Sequence, residues 1–387
     1  MKTRLSLAYV FEFLRDGFYL GIFLLLPFIQ KDIHITFLQT GYLQTLVNLL
    51  MVLLAIPTVG LLIRFGEVKV LLFSLFIYVV GFVGLYTAHS YWALLLIYGC
   101  MGISFGFYAT ISAYITTTWF TKETRGRETG KLMATGDIAK VIFSVGIGFF
   151  AGLIGWKLTS LGIGFFTGGI FLVFSFLFVK GSSELRREEI KKEKVIHASY
   201  LYLLKQKQFV LSLIASSLDQ GINAPFYAFL PFLLLDKGVS LQLIGIVVSF
   251  YYIGNVVSRL VFGKLVDRIG NAEVLILLEC MMALCTFLLA ISSSIFLVSS
   301  LALLLGFVTE GTDPASVAMT AEAIEAIPHA QKSSGMRSLS NGVGKIIFPF
   351  LLGLIANVWG IIWAFYFLAF ASLLPIIPAL LFIRNKR

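Results

Sequence analysis

The sequence predicts an all-α polytopic membrane protein of twelve transmembrane helices in two pseudo-symmetric six-helix bundles, and three observations predict it. Of the 387 residues, 58% are hydrophobic and only 13% charged, with a mean hydropathy of +0.93; soluble domains hold about 45–50% apolar and about 25% charged residues. The apolar residues gather into twelve runs, each near the roughly 20 residues that a helix needs to cross a bilayer, and they lack the alternation of barrel strands. The chain also repeats itself. Residues 130–155 align without a gap on 335–360, pairing Gly130/Gly335, Lys140/Lys345, Phe143/Phe348, Gly148/Gly353 and Gly155/Gly360.

In chain order, span 1 is expected over 6–30. Its start imitates a secretory signal, but Glu12, Arg15 and Asp16 interrupt the apolar run and no small-residue cleavage site follows. Spans 2 to 6 are expected over 40–63, 70–88, 91–118, 131–155 and 158–180. Glycine pairs four residues apart (Gly17/Gly21, Gly102/Gly106, Gly148/Gly152, Gly164/Gly168) allow helix backbones to approach closely and are read as packing. The polar stretch up to 208 interleaves Lys and Arg with Glu, as in Arg186-Arg187-Glu188-Glu189, and is expected to form an amphipathic surface helix. Spans 7 to 12 follow at 209–235, 240–263, 273–292, 294–316, 335–357 and 360–383, with bends expected at Asn223-Ala-Pro225 and Asp313-Pro314. Residues 1–180 thus form one bundle, 181–208 a cytoplasmic linker and 209–387 the second bundle.

The net charge of +10 is a topology signal. Of the 30 Lys and Arg, 23 lie at the N-terminus, the even-numbered loops and the C-terminus, against three in the odd-numbered loops and four within spans. Both termini are therefore expected in the cytoplasm, with the protein integral to the plasma membrane (in a bacterium, the inner membrane). A nucleic-acid partner has no soluble domain to dock on. Cys100, Cys280 and Cys285 lie inside expected helices and imply no disulfide framework. The four histidines are well separated, so neither a metal site nor another cofactor is expected. Gly126-Arg-Glu-Thr-Gly130-Lys131 imitates a phosphate loop but is one residue short and has Leu132 where a magnesium-binding hydroxyl belongs. No nucleophile and base constellation suggests an enzyme.

Gly263-Lys-Leu-Val-Asp267-Arg268-Ile-Gly270, between spans 8 and 9, resembles the signature loop of the major facilitator superfamily. The first copy, Gly60-Leu-Leu-Ile-Arg64-Phe-Gly66, lacks the acidic residue. With twelve spans and two repeats the resemblance covers the whole chain. It implies a secondary transporter that works by alternating access, in which the loop acts as a cytoplasmic latch through Asp267. It also implies that spans 1, 4, 7 and 10 surround a central cavity that spans 5 and 11 help to line. Drug-antiporter marks are missing: Tyr98 stands four residues before Gly102, and Phe143-Ser144 occupies the place of a Gly-Pro pair. Their absence leans towards uptake.

Ionisable residues inside a membrane are costly and are functional candidates by default. Counting about 1.5 Å per residue, Arg15, Asp16, Lys140, Asp219 and Lys345 fall near the midplane. Glu12 and Asp137 lie about a turn nearer the cytoplasm, Glu310 and Asp313 fall in the cytoplasmic half of span 10, and Arg259 is assigned to the latch. Lys140 and Lys345, related by the repeat, are expected to face each other with Arg15 as an anion receptor, beside Tyr19 and Tyr227 as aromatic walls. Asp16 and Asp219, at nearly equivalent places in the two copies, are the expected proton-coupling groups, with Glu12, Asp137, Glu310 and Asp313 behind them. The expected activity is transport of a small organic anion or zwitterion with protons, by a monomer. The alternative is efflux of larger amphipathic compounds or lipids, favoured if the cations prove to be internally paired.

Overall fold

The computed structural model describes residues 2–118, 125–181, 200–325 and 332–386. The elements among the described residues are all helices: α1 (Lys2–Leu24), α2 (Leu26–Ile33), α3 (Phe37–Phe65), α4 (Glu67–Tyr86), α5 (Tyr91–Thr118), α6 (Arg125–Ile154), α7 (Trp156–Gly181), α8 (Tyr200–Lys205), α9 (Lys207–Asn223), α10 (Phe226–Asp236), α11 (Leu241–Ile269), α12 (Asn271–Ile291), α13 (Ile295–Ile324), α14 (Lys332–Trp359), α15 (Ile361–Ala371) and α16 (Ile376–Lys386). Among them, ten stretches are long and apolar enough to cross a membrane, α15 and α16 together forming the last. Two further spans are broken helices. Span 1 is α1 plus α2, divided at Leu25, with Pro27 in the first turn of α2 where its missing N–H costs nothing. Span 7 is α9 plus α10, divided at the expected Asn223-Ala-Pro225 bend.

Span 10 departs from expectation. Helix α13 continues through Pro314 to Ile324, so the proline frees one carbonyl within the helix without ending it. Several helices outrun their apolar runs: α6 starts at Arg125, α11 reaches Ile269 and α13 reaches Ile324. Hydropathy marks where the chain meets lipid, and backbone hydrogen bonding carries the helix on into polar sequence. Most of the linker helix expected over 181–208 falls on residues 182–199, outside the described residues; α8 is the part that is seen.

The repeat is visible in the turns. Gly66 and Gly270, the last glycines of the two signature copies, have φ of +84° and +118°, and Gly155 and Gly360 have +84° and +95°, a region where only glycine avoids a Cβ clash. It is visible in the packing too. In the first bundle α1 lies against α5 and α6, and α3 and α4 lie against α5; in the second α9 lies against α13 and α14, and α11 and α12 lie against α13. Two buried hydroxyls pin α5 to α1, Tyr98 donating to the carbonyl of Ile22 and Tyr108 to that of Phe11.

Polarity runs opposite to that of a soluble protein. Trp92, Leu96, Phe165 and Phe296 are exposed on the outer surface, while Gln44, Asp137, Asp219 and Glu279 are buried. That is the burial expected where the surrounding solvent is hydrocarbon.

The bundles meet along two seams, α3 with α14 and α6 with α11. Towards the end opposite the termini each seam closes on glycine. A Cβ built on Gly148 would lie 2.5 Å from the Gly245 Cα, and one built on Gly41 would lie 3.2 Å from the Gly353 Cα. The repeat pair Gly148/Gly353 therefore marks a close backbone contact in each of the two seams. The other glycine pairs also pack, Gly17 on Phe143, Gly102 on Val47 and Gly164 on Val83.

Candidate functional site

The site starts on α1, where Glu12, Arg15 and Asp16 fall within little more than one turn and share a face. The Arg15 guanidinium spans both neighbours, 2.6 Å from Glu12 and 2.8 Å from Asp16. Ser112 of α5 donates to the far oxygen of Glu12 at 2.8 Å. The second oxygen of Asp16 reaches across to Lys140 of α6 at 3.3 Å, and Lys140 turns back on its own helix to Asp137 at 3.0 Å. Asp137, fully buried, then takes a close ion pair from Arg259 of α11, and Arg259 reaches Glu310 of α13 at 2.9 Å. The result is an unbroken chain of alternating charge: Glu12, Arg15, Asp16, Lys140, Asp137, Arg259, Glu310. It begins in the first bundle and ends in the second.

Alternation explains how seven ionisable groups survive at this depth. Each buried charge would cost several kcal/mol alone, but every interior member has an opposite charge on both sides. Arg259 is therefore a link between the bundles. The side chains of Gly263, Asp267 and Arg268 lie outside the described residues. In the first copy Arg64 is exposed and stacks on its neighbour Phe65, while a Cβ added to Gly60 would have nothing within 4 Å.

Gly136 makes the Asp16 to Lys140 step possible. A Cβ there would overlap the Asp16 carboxylate oxygen and stand 2.9 Å from its Cγ. Gly136→Ala is expected to push Asp16 off Lys140 and to lower the melting temperature of the purified protein, whereas Gly146→Ala, at a glycine with open space around it, is expected to leave it unchanged. An unaltered melting curve for Gly136→Ala would remove the steric argument.

The aromatic wall stands directly over Lys140. Its ammonium donates to the Tyr227 hydroxyl at 3.4 Å and lies 5.7 Å and 6.0 Å from the ring centres of Tyr227 and Tyr252. Tyr19 packs edge-on against Tyr227, donates to Asn48 at 3.0 Å, and Asn48 in turn donates to the backbone carbonyl of Lys345 at 2.9 Å.

The three cations expected to form one receptor are thus in different situations. Arg15 and Lys140 are neutralised within the protein. Lys345, half-buried on α14, has no hydrogen-bond or ion-pair partner for its ammonium among the described residues; Asp313, Glu310 and Asp219 act on it only through space. Asp313 is occupied by Arg337 at 2.9 Å, a pairing that spacing and hydropathy do not single out. Arg15 (25%), Glu310 (18%) and Asp313 (31%) are partly exposed, so these charges are not sealed in a core.

Asp16 and Asp219 are not structural counterparts. Gly17 packs on Phe143 as Gly221 packs on Phe348, and this register aligns Asp219 with Arg15. Asp16 faces Lys140, whereas Asp219 is held by Asn223 at 2.9 Å and Gln220 at 3.2 Å, away from the cations of the charge chain. Glu279 on α12, fully buried, is an intramembrane acid that reading spans 1, 4, 7 and 10 alone overlooks.

Comparison with known proteins agrees with this architecture. The sequence profile of the Major Facilitator Superfamily matches residues 5–218 and again 209–387, one match per bundle. No curated protein matches the sequence significantly. Among solved structures, a bacterial homologue of the human lysosomal transporter Spinster is similar in fold. Its inward-facing and occupied form superposes with a TM-score of 0.74 at 14% identity, covering 100% of this chain and 96% of that one. Its inward-facing and unoccupied form gives 0.72 at 14% identity, covering 98% and 95%. Two repeated six-helix bundles, two inter-bundle seams and a chain of buried charge that crosses between them fit a secondary transporter that works by alternating access, and this chain belongs to the Major Facilitator Superfamily.

Proposed function

We propose that the protein carries a small organic anion or zwitterion inward across the membrane together with a proton, and that Lys345 takes the substrate's acidic group. The observation that carries the reading is the ammonium of Lys345, unpartnered among the described residues, in a cleft where Arg15, Lys140, Arg259 and Arg337 all have carboxylate partners. Tyr19, Tyr227 and Tyr252 supply an aromatic surface for the rest of the molecule. With cytoplasmic termini, as the basic residues imply, the glycine-closed end faces outside and this conformation is open inward. Protonation of Asp16 would release Lys140 to a substrate carboxylate, exchanging one negative group for another without leaving a bare charge in the membrane. The signature loop, Asp267 above all, would serve as the latch of the opposite state.

The test uses a carboxylate ligand and its neutral ester. Lys345→Ala removes a charge-assisted hydrogen bond worth roughly 1.5–3 kcal/mol, so acid affinity should fall by about ten- to a hundredfold while ester affinity holds. Equal losses for both would sink the receptor assignment. For the proton, Asp16→Asn should abolish accumulation driven by a pH gradient and spare solute exchange; gradient-driven accumulation by a folded Asp16→Asn protein would place coupling elsewhere. The internal pairing of Arg15 and Lys140 favours one second reading, efflux of larger amphipathic compounds or lipids, in which the charge chain only holds helices together and Lys345→Ala leaves selectivity unaltered.

A further inference from the structure

Away from the charge chain, the second bundle buries two acids against each other. Asp219 on α9 and Glu279 on α12 are both fully buried, and the Asp219 carboxyl is the nearest acidic neighbour acting on Glu279. Asp219 is supplied with donors, Asn223 at 2.9 Å and Gln220 at 3.2 Å. Glu279 is not: among the described residues no donor reaches either of its oxygens. No cation forms an ion pair with either acid among the described residues. The charged groups that act on Asp219 are Asp313 of α13 and Arg337 of α14, which are spent on each other at 2.9 Å, and Lys345, which forms no ion pair among the described residues. Glu279 has the Cys280 thiol beside it on its own helix. Helix α15 contains no charged residue, and the nearest on α16 is exposed Arg384 near its end.

Two ionised carboxylates in that position would repel strongly in a low dielectric, and each would offer only acceptors to the other. A single proton removes both difficulties. We propose that Asp219 and Glu279 form a proton-binding carboxyl pair in the second bundle, one acid holding the proton and donating it to the other. The pair sits one hydrogen bond from the break in span 7, because Asn223, which grips Asp219, is the last residue of α9. Gln44 of the first bundle donates to the Ala224 carbonyl at that break. The site stands independently of the substrate and of coupling at Asp16.

Infrared difference spectroscopy of the purified full-length protein tests it without substrate. Wild type should show the C=O stretch of a protonated, hydrogen-bonded carboxyl at neutral pH, shifted in D2O and lost on alkaline titration. Glu279→Gln, which keeps the shape and supplies a permanent donor, should lose that band, and Asp219→Asn should do the same if Glu279→Gln fails to fold. Because the native state holds a proton that the unfolded chain has released, wild-type melting temperature should fall as pH rises, and this slope should flatten in Glu279→Gln. Absence of the band in wild type, its persistence in both variants, or an unchanged slope overturns the pair. So does saturable stabilisation by sodium at fixed pH that Glu279→Gln abolishes, which would make the ligand a metal ion.

Discussion

Lys140→Met is expected to cost about 3–5 kcal/mol of stability, the usual penalty for removing one partner from a buried ionic network. Methionine keeps most of the volume and all of the helix propensity, so the loss reports charge. Without Lys140, four carboxylates of the chain face only Arg15 and Arg259, and Asp16 and Asp137 each lose a neighbour at 3.3 Å and 3.0 Å. Adding Asp137→Asn should recover part of the loss, and the non-additivity of the two changes measures their coupling. Thermal and denaturant unfolding of the detergent-solubilised single and double variants checks this. A Lys140→Met protein within about 1 kcal/mol of wild type, below the range seen for buried pairs, would mean that the cleft is wet enough to screen the chain.

Gly148→Val should bring transport close to zero while the individual bundles remain folded. The new Cβ would overlap the Gly245 backbone, and backbone atoms cannot rotate aside as a side chain can, so the α6 to α11 seam must part. Gly353→Val acts against Gly41 and Phe37 on the other seam in the same way. In both variants a cysteine replacing buried Gln44 should react with a water-soluble maleimide faster than it does in the parent. Normal transport by either variant would show that glycine contact at this end is dispensable to closure.

Much of the fold is legible in the sequence because its causes are local or additive. Twelve spans follow from apolar run length. The twofold arrangement follows from the spacing of Gly148/Gly353 and Gly155/Gly360, and glycines of positive φ reappear at matching turns. Pro225 breaks span 7 as expected, yet Pro314 leaves α13 whole, since packing against α9, α11 and α12 outweighs one lost backbone hydrogen bond. Of the residues singled out from the sequence, Glu12, Arg15, Asp16, Asp137, Lys140 and Glu310 are joined in one chain of ion pairs, with Tyr227 beside Lys140. Asp219 and, of the signature loops, Arg64 stand apart from it. Arg337, Gly136 and Glu279 escape a search by span and charge because their importance lies in what stands opposite them.

By itself, then, the sequence determined the class of protein, the order of its spans and the repeat. These depend on hydropathy, which sums along the chain, and on a fixed rise per residue. Which charges meet was decided only by the tertiary structure. Advancing one residue along a helix turns a side chain by about 100°, so Arg15 and Asp16 share a depth yet point to different neighbours. A shift of one residue between the copies likewise sends Asp219 to Glu279 on α12, while Asp16 goes to Lys140 on α6. Depth is written in one dimension; partnership depends on the rotation of each helix against its neighbours, and that is fixed by the glycine contacts and buried hydrogen bonds between them.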